Sequence, residues 1–313
     1  MPENPPRLFL IDGAALAYRA YFAFIRNPLV TRKGEHTSAV FGFLNSLLKL
    51  LKEEKPSHLA VVWDTPKPTF RHALYKDYKA TRAKMPDDMV PQLYRIKEVL
   101  ELMGIPMMER EGYEADDLIG TIAHQLSEQG QQAVLVTGDK DYMQLVNDHV
   151  VILNPKRAGE PSEWLDAAGV KEKFGVPPDR VTDVLALMGD SSDNVPGVGG
   201  VGPKTAVKLI EEHGSLAALY ANLDQVAAKG VREKLERDRE SALLSHKLVT
   251  IDTSVPIEWS LDQLVTRPFD AGKLEPMFRD LEFTRLLDEF KALSGESPQV
   301  AAETPGGDYR TVN

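Results

Sequence analysis

Three short runs do most to limit what this chain can fold into: Arg7-Leu-Phe-Leu-Ile11, His58-Leu-Ala-Val-Val-Trp63 and Gln132-Ala-Val-Leu-Val-Thr137. None alternates apolar with polar residues. A strand with one wet face alternates, so runs like these suit strands covered on both faces, as in parallel sheets. Val150-Val-Ile-Leu153 reads as a fourth strand. Residues 14–24, 40–51 and 90–103 repeat apolar side chains at helical spacing. Strands alternating with helices predict an α/β fold, with a mostly parallel central sheet and helices on both faces.

Each run stops at an acid: Asp12, Asp64, and Asp139 with Asp141 close behind. In open α/β sheets, ligands bind beyond the C-terminal ends of the strands. A parallel sheet would bring these acids to that one edge. A lone Asp after a strand only starts a turn or caps a helix; three in three predicts a shared site. The stretch Gly112-Tyr-Glu114-Ala-Asp116-Asp117-Leu-Ile-Gly120 adds three carboxylates at the start of a helix, where peptide dipoles tolerate negative charge. Capping needs one acid. Three together repel, and a bound cation offsets the repulsion. On an ideal helix Glu114 and Asp117 share a face and Asp116 does not, so one of the three is expected to act through water.

From residue 181 the chain reads as helical. Val181-Thr-Asp-Val-Leu-Ala-Leu-Met188 leads into Gly189-Asp190-Ser-Ser-Asp193-Asn194. Then come Val195-Pro-Gly197-Val198-Gly199-Gly200-Val201-Gly202-Pro-Lys204-Thr-Ala206 and a helix over 207–213. A dinucleotide fingerprint must follow a strand. Here a helix precedes the glycines, which predicts a helix–hairpin–helix over 181–213. Its turn would offer backbone amides to a phosphate at a helix N-terminus. Residues 230–249 read as charged helix and 274–290 as a last amphipathic helix. The composition of 291–313 is that of a linker or disordered tail. The expected layout is an α/β core over 1–175, a helical subdomain over 176–290 and the tail, consistent with a soft prior of about two domains for this length.

Residues 67–84 carry Lys67, Arg71, Lys76, Lys79, Arg82 and Lys84 against one acid, Asp77, with Phe70, Tyr75 and Tyr78 interleaved. Cations that neutralise phosphates and rings that stack on bases suit a single-strand path. The alternative is a solvated helix face with its aromatics turned inward. The segment begins three residues after Asp64 in a chain of net charge −10, which favours the strand path. That charge excludes a uniformly basic nucleic-acid binder but not a local patch. The absence of cysteine excludes disulfides, thiolate catalysis and Cys-ligated zinc, and fits a reducing cytoplasm. No apolar run reaches the roughly 18–20 residues of a membrane span.

Mg²⁺ takes one or two protein carboxylates, keeps waters and binds phosphate oxygens. Asp12, Asp64, Glu114, Asp116, Asp117, Asp139, Asp141, Asp190 and Asp193 are more acids than one ion needs. Two ions about 4 Å apart would stabilise both the attacking and the leaving oxygen of an in-line displacement at phosphorus.

These motifs, in this order, resemble the 5′-nuclease (flap endonuclease) family, and within it the N-terminal 5′→3′ exonuclease domains of bacterial DNA polymerase I. The resemblance rests on Leu-Ile-Asp12-Gly, Val-Val-Trp-Asp64, Phe-Arg71-His, Tyr78-Lys79-Ala-Thr-Arg82, Gly-Tyr-Glu114-Ala-Asp-Asp117, Thr-Gly-Asp139-Lys-Asp141, Gly-Asp190-Ser-Ser-Asp193-Asn and the glycine-rich hairpin through Lys204. It covers about residues 7–290 and implies a PIN-like (resolvase-like) sheet with a helical arch over 65–90. It also implies two Mg²⁺ (or Mn²⁺) ions. Asp12, Asp64, Glu114, Asp116 and Asp139 resemble ligands of the first, and Asp141, Asp190 and Asp193 of the second. The resemblance further implies that Asp139 is shared between the ions and central to catalysis, and that Asp117 acts through water. By the same resemblance Lys79 and Arg82 engage the scissile phosphate, and Tyr18 stacks near the cleaved junction. Arg71 and Tyr78 then belong to the DNA path. Gly197, Val198, Gly199, Gly200, Val201, Gly202 and Lys204 hold the duplex, with a K⁺ ion on backbone carbonyls. The partners implied are DNA bearing a 5′ flap, nick or single-strand/duplex junction, and RNA-primer/DNA hybrids. The setting implied is replication and repair at the bacterial nucleoid, by a monomer. Proofreading-like and polymerase domains follow in full polymerases, and no polymerase activity is expected in these residues.

Two other readings stay open on the residues. One is a non-catalytic DNA-junction binding module of the same fold, which would be expected to have lost several acids. The other is a phosphomonoesterase on an α/β sheet, which would need neither the basic segment nor the hairpin.

Overall fold

The computed structural model describes residues 7–156 and 160–295. Strand β1 (Arg7–Asp12) runs into α1 (Gly13–Ala23), and α2 (Ser38–Glu53) returns the chain to β2 (His58–Val62). A short helix α3 (Phe70–Leu74), then α4 (Val90–Leu102), β3 (Met107–Met108), α5 (Ala115–Glu128) and β4 (Gln132–Val136) follow. A 3₁₀ turn over Lys140–Leu145 leads to β5 (Val150–Asn154), β6 (Glu163–Leu165) and α6 (Ala167–Phe174). The strands form one sheet in the order β3-β2-β1-β4-β5-β6. It is parallel except for β6, which runs antiparallel to β5. The chain winds from β1 to one side and then, after α5, to the other. The strand order therefore reverses between β1 and β4, the place where open sheets form their ligand crevice.

Successive side chains of a strand point to opposite faces. Leu8, Leu10, Ala133 and Leu135 join α5 in one core, while Phe9, Ile11, Val134 and Val136 join α1 and α2 in another. All eight are buried, which is why the runs do not alternate. Each such burial is worth roughly 1.5–3 kcal/mol.

Five helices follow: α7 (Val181–Met188), α8 (Pro203–His213), α9 (Leu216–Ala221), α10 (Lys229–Arg237) and α11 (Arg239–Val249). Leu185, Leu209, Leu219 and Leu248 extend the α5-side core without a break. The connection between α7 and α8 is the expected hairpin. Gly189 (φ +70°) and Gly197 (φ +61°) face each other across it. A Cβ on Gly189 would lie 2.5 Å from the Val195 carbonyl, and one on Gly197 2.4 Å from the Gly189 nitrogen. Only glycine fits either position.

Several expectations are corrected. Residues 65–90 do not form a helical arch. The five residues of α3 give way to turns, with Arg71 and Tyr78 buried and Lys79 held at φ +58°. The last helix is two, α12 (Glu275–Asp280) and α13 (Thr284–Ser294), because Glu282 is left-handed at φ +61°. The break lets Phe278, Phe283 and Phe290 meet edge to face. This pair packs in the core with α1 and α2, not with the hairpin helices. The start of the expected tail, 291–294, is the end of α13; the tail from 296 on lies outside the described residues. Among the described residues no helix is long and apolar enough to cross a membrane.

Candidate metal centre and nucleic-acid interface

Asp12 caps the N-terminus of α1, its Oδ1 accepting from the Ala15 amide at 2.9 Å. Its Oδ2 accepts from the buried Tyr142 hydroxyl at 3.0 Å. Burial, then the charge of Asp64 and more weakly that of Asp139, pushes the Asp12 carboxyl up to about 7. Asp64, just past β2, accepts from the Ala115 amide at 2.8 Å and so joins the start of α5. The negative charges of Asp12, Asp116, Asp139 and Asp64 all bear on Tyr142, whose phenol is raised first by burial and then by them. The strand-end acids and the α5 acid Asp116 thus share one edge. Asp141 is pushed up to about 8, first by burial and then by Asp139, with Asp190 and Asp193 adding to it.

Three cations thread this cluster. Lys79 Nζ lies 2.6 Å from Glu114 Oε1 and 3.7 Å from Asp193 Oδ2. Arg82 pairs with Asp193 through Nε at 3.0 Å and through its terminal nitrogen. Lys140 Nζ lies 2.6 Å from Asp190 Oδ2. Burial alone would raise Glu114 and Asp190, yet Lys79 with Arg71, and Lys140, hold them below the usual carboxylate range. The left-handed backbone of Lys79 is tied down by its amide, which donates to the Asp193 carbonyl at 2.9 Å. Strain of this kind, of order 1–3 kcal/mol, persists where the surroundings over-determine it.

The residues fit divalent cations. Asp116 Oδ1 and Asp141 Oδ1 are buried, with no hydrogen-bond partner among the described residues. An unpaired buried carboxylate oxygen is costly unless protonated or bound to a cation. Among the described residues, no three carboxylates converge on one point as ligands do.

Three site residues sit elsewhere than expected. Asp117 is fully buried, paired with Arg71. Arg71 donates to both its oxygens at 2.7 Å, and the Glu114 and Asp252 amides donate to it at 3.1 and 2.9 Å. Arg71 is itself 1% exposed, with its guanidinium over the Phe70 ring, and is not open to a strand at the surface. Tyr78 is 4% exposed, and its hydroxyl donates to Glu114 at 3.0 Å and Asp193 at 3.2 Å. Cations and rings interleave in this segment as on a strand path, but Arg71 neutralises acids from within and Tyr78 donates a hydrogen bond to them.

Tyr18 is half-buried, stacked on Phe22, and close enough to Arg82 and Asp64 for both charges to act on its phenol. At the hairpin, the amides of Gly197, Val198, Gly199 and Val201 are spent on Ser245, Leu187, Asp238 and Val198. Those of Gly200, Gly202 and Lys204 have no partner among the described residues, and they gather at the N-terminus of α8. Val198 and Val201 are buried. Sequence reasoning missed Tyr142, Lys140 and Arg19. Lys140 stands between two site acids in the sequence, which was a signal. Arg19 and Tyr142 carry none beyond helical spacing. Arg19 lines a cleft of about 280 Å³ beside Gly138 and Asp139.

A mostly parallel sheet with acids along one edge, followed by a helical subdomain that carries a helix–hairpin–helix, defines a class of α/β proteins by fold. Within it, the chain belongs to the 5′–3′ exonuclease family. The family's N-terminal resolvase-like domain matches residues 7–175, and its C-terminal SAM fold matches residues 176–272. The DNA polymerase I of Bacillus subtilis is 42% identical over 294 residues, which is 94% of this chain and 33% of that protein. The thermostable DNA polymerase I of Thermus thermophilus is 43% identical over 303 residues, 97% of this chain and 35% of that one. The chain thus spans about a third of the length of the curated relatives it matches. In fold it is similar to the T5 D15 protein co-crystallised with metal ions (TM-score 0.63, 19% identical, 92% of this chain and 99% of that one). It is also similar to flap endonuclease-1 from Methanococcus jannaschii (TM-score 0.60, 19% identical, 93% of each chain).

Proposed function

We propose that this chain is a structure-selective 5′→3′ exonuclease and 5′-flap endonuclease. It acts on DNA with a 5′ flap, nick or junction, and on RNA primers paired to DNA, as the nuclease part of a DNA polymerase I. One observation carries the reading: eight acids, Asp12, Asp64, Glu114, Asp116, Asp139, Asp141, Asp190 and Asp193, gather at the edge where the strand order reverses, with two buried oxygens lacking any partner among the described residues. The D15 flap endonuclease of bacteriophage T5, whose structure was solved with DNA and metal ions, lends it support.

Two Mg²⁺ or Mn²⁺ ions held by these acids would supply a nucleophile and stabilise both oxygens of an in-line displacement at phosphorus. The chain's own residues do the rest. Lys79 and Arg82, now paired with Glu114 and Asp193, are placed to exchange those carboxylates for a scissile phosphate. Lys79 presents a point charge and Arg82 a fork. Tyr18 offers a ring beside Arg82 for a base at the junction. The free amides of Gly200, Gly202 and Lys204, with the Lys204 ammonium, seat a duplex phosphate at the positive end of α8. A K⁺ ion on hairpin carbonyls belongs to the same reading. Incubation with a labelled 5′-flap duplex, in Mg²⁺ and in EDTA, is the test. Mg²⁺-dependent release of the flap is expected; an intact flap at enzyme excess would refute the reading.

A further inference from the structure

Helix α11 is bonded near its start to the hairpin and at its far end to Arg71 and Gln144. Near its start the Ser241 hydroxyl donates to the Gly197 carbonyl at 2.7 Å. One turn on, the buried Ser245 hydroxyl accepts from the Gly197 amide at 2.9 Å. Residues four apart share a helix face, so both hydroxyls grip the same residue of the hairpin.

At its other end the last carbonyls of α11 lack helical partners. Arg71 takes one of these oxygens and that of the cap residue: its Nε donates to the Leu248 carbonyl at 2.9 Å and its Nη2 to the Thr250 carbonyl at 3.0 Å. The guanidinium therefore caps one helix while binding Asp117 and, at 3.3 Å, Glu114 at the start of another. Gln144 makes a second tie. Its Nε2 donates to the Val249 carbonyl and its Oε1 accepts from the Ile251 amide, both at 2.9 Å. Gln144 lies on the 3₁₀ turn that carries Asp141 and Tyr142. One rod of eleven residues, about 16 Å long, thus joins the hairpin to both groups of acids.

We infer that α11 is a strut fixing the distance from the duplex grip to the acid cluster, and so selects which phosphodiester is cut. Ser241, Ser245, Arg71 and Gln144 are its positioning residues. The inference rests on the nuclease reading above. Successive phosphates of a strand are about 3.4 Å apart along the duplex axis, close to the length of one hydrogen bond. Losing an anchor at either end loosens the strut, and a shift of one phosphate spacing presents the neighbouring bond.

The test is single-turnover cleavage of a flap duplex in Mg²⁺, with products resolved to one nucleotide. The variants are Arg71→Lys, Gln144→Leu, Ser241→Ala and Ser245→Ala. Arg71→Lys keeps a cation for Asp117 but cannot hold both α11 carbonyls at once. In each, the share of product one nucleotide to either side of the main cut should rise at least threefold, while total hydrolysis falls less than tenfold. A wild-type product distribution in folded variants, at whatever total rate, overturns the strut, because a merely structural helix would change rate or stability and leave the position alone. If Ser245→Ala fails to fold, Ser241→Ala and Arg71→Lys decide the matter. A wild-type protein that leaves the flap intact overturns the nuclease reading instead.

Discussion

Divalent cations should bind this protein more tightly as pH rises, and should expel protons as they do. Asp12 and Asp141 are pushed up to about 7 and about 8, and a cation needs both carboxylates bare. At pH 6 a group titrating near 7 competes with the ion by about tenfold, and one near 8 by about a hundredfold. The site that uses Asp12 should therefore tighten about tenfold between pH 6 and 8.5, and the site that uses Asp141 roughly fifty- to a hundredfold. Stability without the ion should run the other way. A carboxyl whose folded value lies above the ordinary 3.8 makes the folded chain bind more protons than the unfolded one. Stability is then lost as pH rises from about 4 to about 7, by roughly 4 kcal/mol if Asp12 acts alone. Calorimetric titration with Ca²⁺, in two buffers of different ionisation heat at pH 6, 7 and 8.5, counts the protons released. Thermal melts with and without the ion measure the opposed trends. A Kd that does not change with pH, with no proton release at pH 6, would refute the reasoning, since the acids would then be ionised already or not be ligands.

Other outcomes follow from the same geometry. Asp139→Asn should abolish cleavage while leaving flap binding in Ca²⁺ nearly unchanged, because a lost ligand weakens transition-state charge stabilisation more than docking; single-turnover cleavage within threefold of wild type would count against the assignment. Lys79→Ala and Arg82→Ala should each slow the chemical step, and Lys79→Arg should restore only part of it; wild-type single-turnover rates in both alanine variants would mean that the pair only balances Glu114 and Asp193. Gly200→Val forces a Cβ onto φ +76° and should weaken duplex binding. Lys204→Ala should also weaken it and flatten the plot of log K against log salt by about 0.9. Gly202→Val, at φ −93° with open space around it, should not strain the turn; salt titrations of binding separate the three.

Strands β1, β2 and β4 were legible because burial on both faces leaves an unbroken apolar run. The acids were legible because a parallel sheet sends every strand end to one edge. β3 and β6, at two and three residues, are too short to show a period. The break at Glu282 has no glycine or proline to announce it. The roles of Arg71 and Tyr78 were inverted, since a basic, aromatic segment has the same composition whether it faces a nucleic acid or is drawn down onto buried carboxylates. Which of the two holds is decided by Asp117, Leu248 and Thr250, partners 46, 177 and 179 residues away from Arg71.

The course of residues 251–270 has one more consequence. The chain leaves α11 and packs Val255 and Trp259 along α5, where the Val255 amide donates to Thr121 and the Trp259 indole to Gln125. It then pairs Thr266 with Ser57 at the foot of β2 and delivers Phe278 and Phe290 to the far side of the sheet. It wraps the molecule like a strap, so the hairpin helices and the acid-bearing sheet are not separable by shortening the chain. A protease that nicks the strap should leave two fragments that still elute together. Removing everything after it should strip cover from Phe41 and the face of α2 that α13 packs on, and release insoluble protein rather than a smaller folded unit.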